Sequence, residues 1–240
     1  MKFLNLDWMI NMSIYVIGDL HLSFENDKPM GIFGENWENH YEKIKINWIK
    51  KVKEDDLVLL TGDISWALKF KEADSDFKWI DNLPGEKIII KGNHDYWWTS
   101  LKKMNNKYKS IKFIHNNYYV YKNVAICGSR GWVCPGDNEF SDHDQKIYLR
   151  EANRLKRSIE KAKKDGYNNI IVMMHYPPTN NRLQASKFTK LFEKYEIKKV
   201  FYGHLHTENS FKKGIKGMYN NVFYSLTACD YLDFTLYKVR

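Results

Sequence analysis

The sequence has little cysteine: only Cys127, Cys134 and Cys229 among its 240 residues. An odd, sparse set without CxxC spacing excludes a disulfide framework and a zinc finger. Reduced thiols of a cytoplasmic protein are the simplest reading. Long apolar runs are also missing. A spanning helix needs roughly 20 apolar residues, and no stretch is long and apolar enough. The opening segment mixes Lys2, Asn5, Asp7 and Asn11 with apolar residues. It therefore lacks the uninterrupted apolar centre and small-residue cleavage site of a signal peptide. Met12 directly precedes the first strand-like run, so residues 1–11 read as an N-terminal extension. No repeat, low-complexity tract or linker rich in Pro, Gly or Ser divides the chain. A single domain over residues 1–240 is expected.

Arginine is scarce too. The formal charge is +9, from 38 Lys+Arg against 29 Asp+Glu, but nearly all the cations are Lys. A basic balance permits nucleic acid or an acidic membrane surface as partner. The planar, bidentate contacts to phosphate and guanine belong to Arg. Solvated lysine-rich helix faces explain the charge more simply than a nucleic-acid interface, which is permitted but not favoured.

What is present is a series of short, β-branched apolar runs, each ending in a polar, mostly Gly-containing cluster. The run at residues 13–17 ends in Gly18-Asp19-Leu20-His21, and the run at 57–60 ends in Thr61-Gly62-Asp63. Residues 87–90 lead to Gly92-Asn93-His94-Asp95, and residues 124–127 to Gly128-Ser129-Arg130-Gly131-Trp132. Residues 170–174 lead to His175, residues 200–202 to Gly203-His204-Leu205-His206, and further runs follow at 222–224 and 234–239. Continuous runs of this kind are expected of strands buried on both faces. Helical periodicity fills about 40–53, 74–82, 96–106, 142–165 and 186–195. Alternating strand and helix predicts an α/β domain. Open α/β sheets place their sites at strand C-terminal ends.

Each cluster alone has an ordinary explanation. Asp19 and His21 are a surface pair at a strand end as readily as ligands, although residues i and i+2 of an extended segment face the same side. Gly62-Asp63 is a common turn, and Asn93 to Asp95 form a turn with an Asx cap. His175 reads as a hydrogen-bonded core residue. Paired His204 and His206 suit a metal. The combination decides: five clusters end five predicted strands, and five of the eight histidines lie in them. Mixed Asp, Asn and His donors suit Mn(II), Fe(II) or Zn(II).

The series D-x-H, G-D, G-N-H-D, H and G-H-x-H, from Asp19 to His206, resembles the calcineurin-like metallophosphoesterase superfamily. The stretches at 128–132 and 96–98 resemble a bacterial subgroup of predicted phosphohydrolases. The resemblance implies a four-layer α/β/β/α sandwich of two mixed β-sheets flanked by helices. It implies two divalent metal ions, with Mn favoured over Fe and Zn. Asp19, His21, Asp63 and His206 would hold the first, and Asp63, Asn93, His175 and His204 the second. His94 would be the catalytic imidazole, oriented by Asp95. The implied reaction is cleavage of a phosphomonoester, phosphodiester or pyrophosphate bond by a metal-bridging hydroxide, with His94 as acid.

A small phosphate-containing molecule is the expected substrate. Asn93 and Arg130 are its candidate contacts, though a buried ion pair explains Arg130 equally well. Trp66, Trp97, Trp98 and Trp132 flank the motifs; core packing is expected for at least two, and an apolar substrate wall for the rest. The loop at 24–39 is placed to shape the substrate opening. His40, His115 and His143 fall outside the pattern and read as surface or packing residues. Two alternatives compete: a catalytically silent scaffold of the same fold, and a nuclease.

Overall fold

The computed structural model describes residues 12–239 apart from Asp27 and Asn138, so the N-terminal extension at 1–11 lies outside the described residues. Among the described residues, eleven strands form two sheets. The first contains β1 (Ile14–Ile17), β2 (Leu57–Leu60), β3 (Glu86–Ile90), β4 (Ile111–Ile114) and the short β11 (Tyr237–Lys238), in the order β11-β1-β2-β3-β4. The second contains β5 (Tyr118–Tyr121), β6 (Val124–Ser129), β7 (Ile170–Met174), β8 (Lys199–Tyr202), β9 (Gly217–Tyr219) and β10 (Val222–Leu226), in the order β5-β6-β7-β8-β10-β9. β1 to β4 are parallel, as are β6, β7, β8 and β10, while β11, β5 and β9 add antiparallel edges.

Every residue of β2 is buried, because alternate side chains serve different layers. Leu57 and Leu59 meet Ile126, Ile171, Met173 and Phe201 of the other sheet. Val58 and Leu60 face the helical layer of α1 (His40–Lys51), α2 (Asp74–Asp81) and α3 (Leu101–Asn105), through Ile44, Trp48, Phe77, Ile80 and Met104. The far face of the second sheet carries α4 (Asp142–Lys164) and α5 (Lys187–Lys194), through Leu155, Ile159, Phe188 and Phe192. Both of these helices start at a serine capping box, Ser141 and Ser186. The order of layers is therefore helix, sheet, sheet, helix, as the resemblance implies.

Three expectations change. The helix expected at 96–106 begins only at Leu101, because Trp97 turns into the core against Phe77 and Phe113 and Ser100 caps the shorter helix. The run at 234–239 pairs only at Tyr237 and Lys238. β4, β5 and β9 were not marked by the apolar pattern, because each lies at or beside a sheet edge with polar or half-exposed positions. No helix among the described residues is long and apolar enough to cross a membrane.

Parallel register sets the site. Ile17 pairs with Leu60, Leu60 with Ile89, Ser129 with Met174, and Met174 with Tyr202. The chain thus leaves these strands at one edge of the sandwich. A bridge between Gly18 and Ala228 and a Thr61–Thr227 hydroxyl contact of 3.1 Å tie the two sheets there.

Candidate metal centre

The loops at this edge have unusual backbone. Asp19, His21, Asp63 and His204 adopt φ values of 56°, 46°, 52° and 73°. Non-glycine residues in the left-handed region are uncommon and cluster at functional sites. Two motif glycines permit close approach. A Cβ at Gly92 would overlap the amide and Oδ1 of Asp63, and one at Gly203 would overlap Oδ2 of Asp19.

These loops bring together all seven candidate ligands. Asp19, His21 and His206 present donor atoms within 4.8 Å of one another, and so do Asp19, Asp63 and His175. Asp63 Oδ2 lies 3.9 Å from His21 Nε2 and 3.4 Å from His175 Nε2. His175 Nε2 also meets Asn93 Oδ1 at 2.7 Å and His204 Nδ1 at 3.3 Å. On the other side, His206 Nε2 lies 3.4 Å from His21 Nε2 and 3.6 Å from Asp19 Oδ1. Imidazole nitrogens facing each other beside buried carboxylates are what a shared cation would require.

Outer contacts fix the rings. His175 Nδ1 meets the Thr61 carbonyl at 3.0 Å, turning Nε2 toward Asp63 and Asn93. His206 Nδ1 meets Asp230 Oδ1 at 3.0 Å. The His204 amide donates to Asp19 Oδ1 at 3.0 Å, and the His94 amide to Asp63 Oδ1 at 2.8 Å. Backbone N–H groups thus hold the carboxylates in place. Asp230 had no sequence signal, since it lies beyond the last motif. Only a carboxylate's frequent place behind a ligand imidazole would have pointed to it.

Charge is divided within the cluster. Burial pushes His21 down to about 3 and His204 well below the ordinary imidazole range, so both are neutral donors. Burial would raise Asp63, but His175 and His21 outweigh it and keep the carboxylate ionised. Burial raises Asp19. His175 rises to about 8 because Asp63 and Asp19 outweigh its burial, and His206 rises to about 10 because Asp19 and Asp230 do the same. The residues fit a pair of divalent ions. Buried carboxylates supply charge, imidazoles supply nitrogen donors, and His21 Nδ1 is buried with no hydrogen-bond partner among the described residues.

Two further candidate residues, Asp95 and Arg130, have other partners. Asp95 is fully buried, and its oxygens accept N–H bonds from Gly92 at 2.7 Å, Asp63 at 2.9 Å, Ile64 at 2.8 Å and the Trp97 indole at 3.0 Å. These bonds, from three backbone amides and one indole, tie the Asp63 and Gly92 loops together. Arg130 lines a separate cavity that contains none of the candidate ligands. Its Nη2 lies 3.6 Å from Glu151 Oε1 and its guanidinium sits 4.4 Å over Trp132, the geometry of the ion-pair alternative.

Two hollows flank the centre. A cavity of 280 Å³ is walled by Met30, Phe33, Trp37 and Trp66 and reaches His21, His94 and His206. Trp66 stacks on His21 with centroids 4.8 Å apart, and its ring lies 4.5 Å from His94. The loop at 24–39 therefore borders the opening, whereas Trp97 and Trp98 pack in the core. A cleft of 730 Å³ reaches His204 from the other side, past Tyr176, Arg182 and Lys213. Among the histidines outside the pattern, His40 is buried and bonds the Leu20 carbonyl at 2.9 Å, bracing the Asp19–His21 turn.

Residues 12–208 match the calcineurin-like phosphoesterase family model. The chain belongs to this family. It is a hydrolase with a candidate site for divalent metal ions. An uncharacterised protein of Methanocaldococcus jannaschii is 25% identical over 191 residues, covering 77% of this chain and 93% of the relative. Three solved structures share the fold. A Thermus thermophilus protein has a TM-score of 0.57 at 13% identity, covering 95% of this chain and 98% of its own. The phosphopantetheinyl hydrolase of Mycobacterium tuberculosis has a TM-score of 0.55 at 13% identity, covering 95% of each chain. A protein of unknown function from Aquifex aeolicus has a TM-score of 0.53 at 16% identity, covering 95% of this chain and 96% of its own.

Proposed function

We propose that this family member hydrolyses a phosphomonoester, phosphodiester or pyrophosphate bond in a small molecule, using two metal ions, with Mn favoured over Fe or Zn. The observation that carries the reading is the placement of Asp63 Oδ2 between His21 Nε2 and His175 Nε2, 3.9 and 3.4 Å away. A carboxylate so placed serves both halves of the centre. Asp19, His21 and His206 would complete one half, and Asn93, His175 and His204 the other. When bound, the ions supply Lewis acidity that activates water and offsets charge on the phosphoryl oxygens.

The chain's own groups do the rest. His94 stands at the mouth of the aromatic cavity, with its amide tied to Asp63. Burial keeps its imidazole below the ordinary range in the free protein. A phosphoryl dianion beside it favours the protonated ring, which can donate to the leaving oxygen. The Asn93 amide can hydrogen-bond a phosphoryl oxygen while its carbonyl faces His175. Met30, Phe33, Trp37 and Trp66 suit an apolar or aromatic part of the substrate, and Arg182 and Lys213 suit anionic groups in the opposite cleft. A phosphopantetheinyl hydrolase shares the fold, in keeping with this substrate class.

The test is a substrate panel with metal-reconstituted protein: an aryl monoester, an aryl diester, cyclic nucleotides and pyrophosphate-linked nucleotides. Hydrolysis of at least one, lost in Asp63→Asn, is expected. Inertness toward all of them with both ions bound would favour the silent scaffold. Turnover of DNA or RNA with steep salt dependence would favour the nuclease.

A further inference from the structure

A second polar cavity, of 230 Å³, lies at the same edge of the sandwich, between the ends of β3, β4 and β6 and the flank of α4. Its lining includes Lys91, His115, Arg130, Arg150, Glu151 and Arg154, and no candidate metal ligand. Glu151 is the one carboxylate among its lining residues, facing four cationic side chains. Its Oε1 accepts Arg154 Nη1 at 2.7 Å and also lies 3.6 Å from Arg130 Nη2 and 3.7 Å from Arg150 Nε. Its Oε2 is engaged by the Ser129 hydroxyl at 3.2 Å.

That balance is incomplete. Three guanidinium groups carry five N–H donors each, and one carboxylate cannot satisfy them. Arg130 Nε is buried and has no hydrogen-bond partner among the described residues. Burial, and then Arg154, Lys91, Arg130 and Arg150, push His115 down to about 4, so its ring is neutral near pH 7. Half-enclosed positive charge with unsatisfied donors is stabilised by an anion whose oxygens match the guanidinium fork. The volume is below that of pockets for drug-sized ligands, roughly 300–1,000 Å³.

We infer that this cavity is a binding site for a small tetrahedral oxyanion of the phosphate class, separate from the metal centre. The site touches the metal-centre scaffold at two points. Lys91 directly precedes Gly92-Asn93-His94. The Arg130 carbonyl accepts the amides of His175 at 3.1 Å and Tyr176 at 2.9 Å. An anion held by Lys91 and Arg130 therefore braces both ligand loops from behind. The inference does not depend on which bond the metal centre cleaves.

The test uses the full chain loaded with zinc and labelled with ¹⁵N-histidine, titrated with inorganic sulfate and, separately, with inorganic phosphate. Chloride at equal ionic strength is the control. Both oxyanions are expected to shift the His115 ring resonances saturably, and chloride is not. Arg130→Gln should weaken that response at least about tenfold, since a hydrogen bond to a charged group is lost. Arg150→Gln, at a half-exposed position, should weaken it several-fold and keeps the test valid if Arg130→Gln does not fold. His115 resonances unmoved at millimolar oxyanion, or shifting equally in Arg150→Gln, would overturn the inference, even if the metal-centre histidines respond.

Discussion

Asp95 Oδ2 accepts the backbone N–H of Asp63 at 2.9 Å, tying the third polar cluster to the second across two parallel strands. The same carboxylate holds the amides of Gly92 and Ile64. Removing it would strand several buried donors at once. Asp95→Ala is expected to lower folding stability by roughly 3 kcal/mol, because each unsatisfied buried group costs about 1–3 kcal/mol. Denaturant unfolding measures this. A variant with unchanged stability and only a reduced kcat would favour the role of orienting His94 instead.

His94→Ala separates chemistry from metal binding. The His94 ring faces the aromatic cavity and is not among the candidate ligands. The variant should keep its metal content and lose about 10²- to 10⁴-fold in kcat, the usual contribution of general acid catalysis. Full activity with normal metal content would remove His94 from the reaction.

Asp230 holds His206 Nδ1 at 3.0 Å. Loss of such an outer partner typically costs about 10–100-fold in metal affinity. Asp230→Ala should show that loss in a competitive chelator titration. Unchanged affinity would mean that His206 is oriented by other contacts.

The two raised histidines set a pH dependence. In the metal-free protein His175 titrates at about 8 and His206 at about 10, both above the ordinary 6.5. Their contribution to stability is fully present below 6.5 and is lost as pH rises through 8 and then 10. A metal ion needs both rings neutral and must displace their protons. Metal affinity should therefore rise with pH from 6 to 8, and calorimetry at pH 7 in buffers of different ionisation enthalpy should detect released protons. Binding without proton release would contradict these assignments.

Phe33 lies 61% exposed at the rim of the aromatic cavity, so it can be truncated with little effect on the fold. Phe33→Ala should raise KM up to about tenfold for an aryl phosphate ester, as loss of one buried aromatic contact predicts. A methyl ester should respond little. Equal effects on both esters would place the apolar group elsewhere.

Much of the site was legible because strands buried on both faces write continuous apolar runs, and the polar residue ending each run is conspicuous. Leu57 to Leu60 followed by Gly62-Asp63 is one such case. Edge strands such as β4 and β5 carry no such mark, since Lys112, Tyr118 and Tyr119 face partly outward. The left-handed backbone at Asp19, His21, Asp63 and His204 was equally hidden, because only glycine announces that conformation in sequence. The role expected of Asp95 came from the resemblance, whereas its hydrogen bonds to amides of the Asp63 and Gly92 loops leave no mark in the sequence. For Arg130 the sequence left two partners open, and the approach of α4, which brings Glu151 within 3.6 Å, had no sequence signal.

In the proposed centre Asp63 joins two metal sites. Elemental analysis of reconstituted, desalted protein by mass spectrometry tests it most directly. Two ions per chain in the wild type, and one or none in folded Asp63→Ala, are the predicted values. A wild type that binds at most one ion, or an Asp63→Ala variant that retains two, would contradict it.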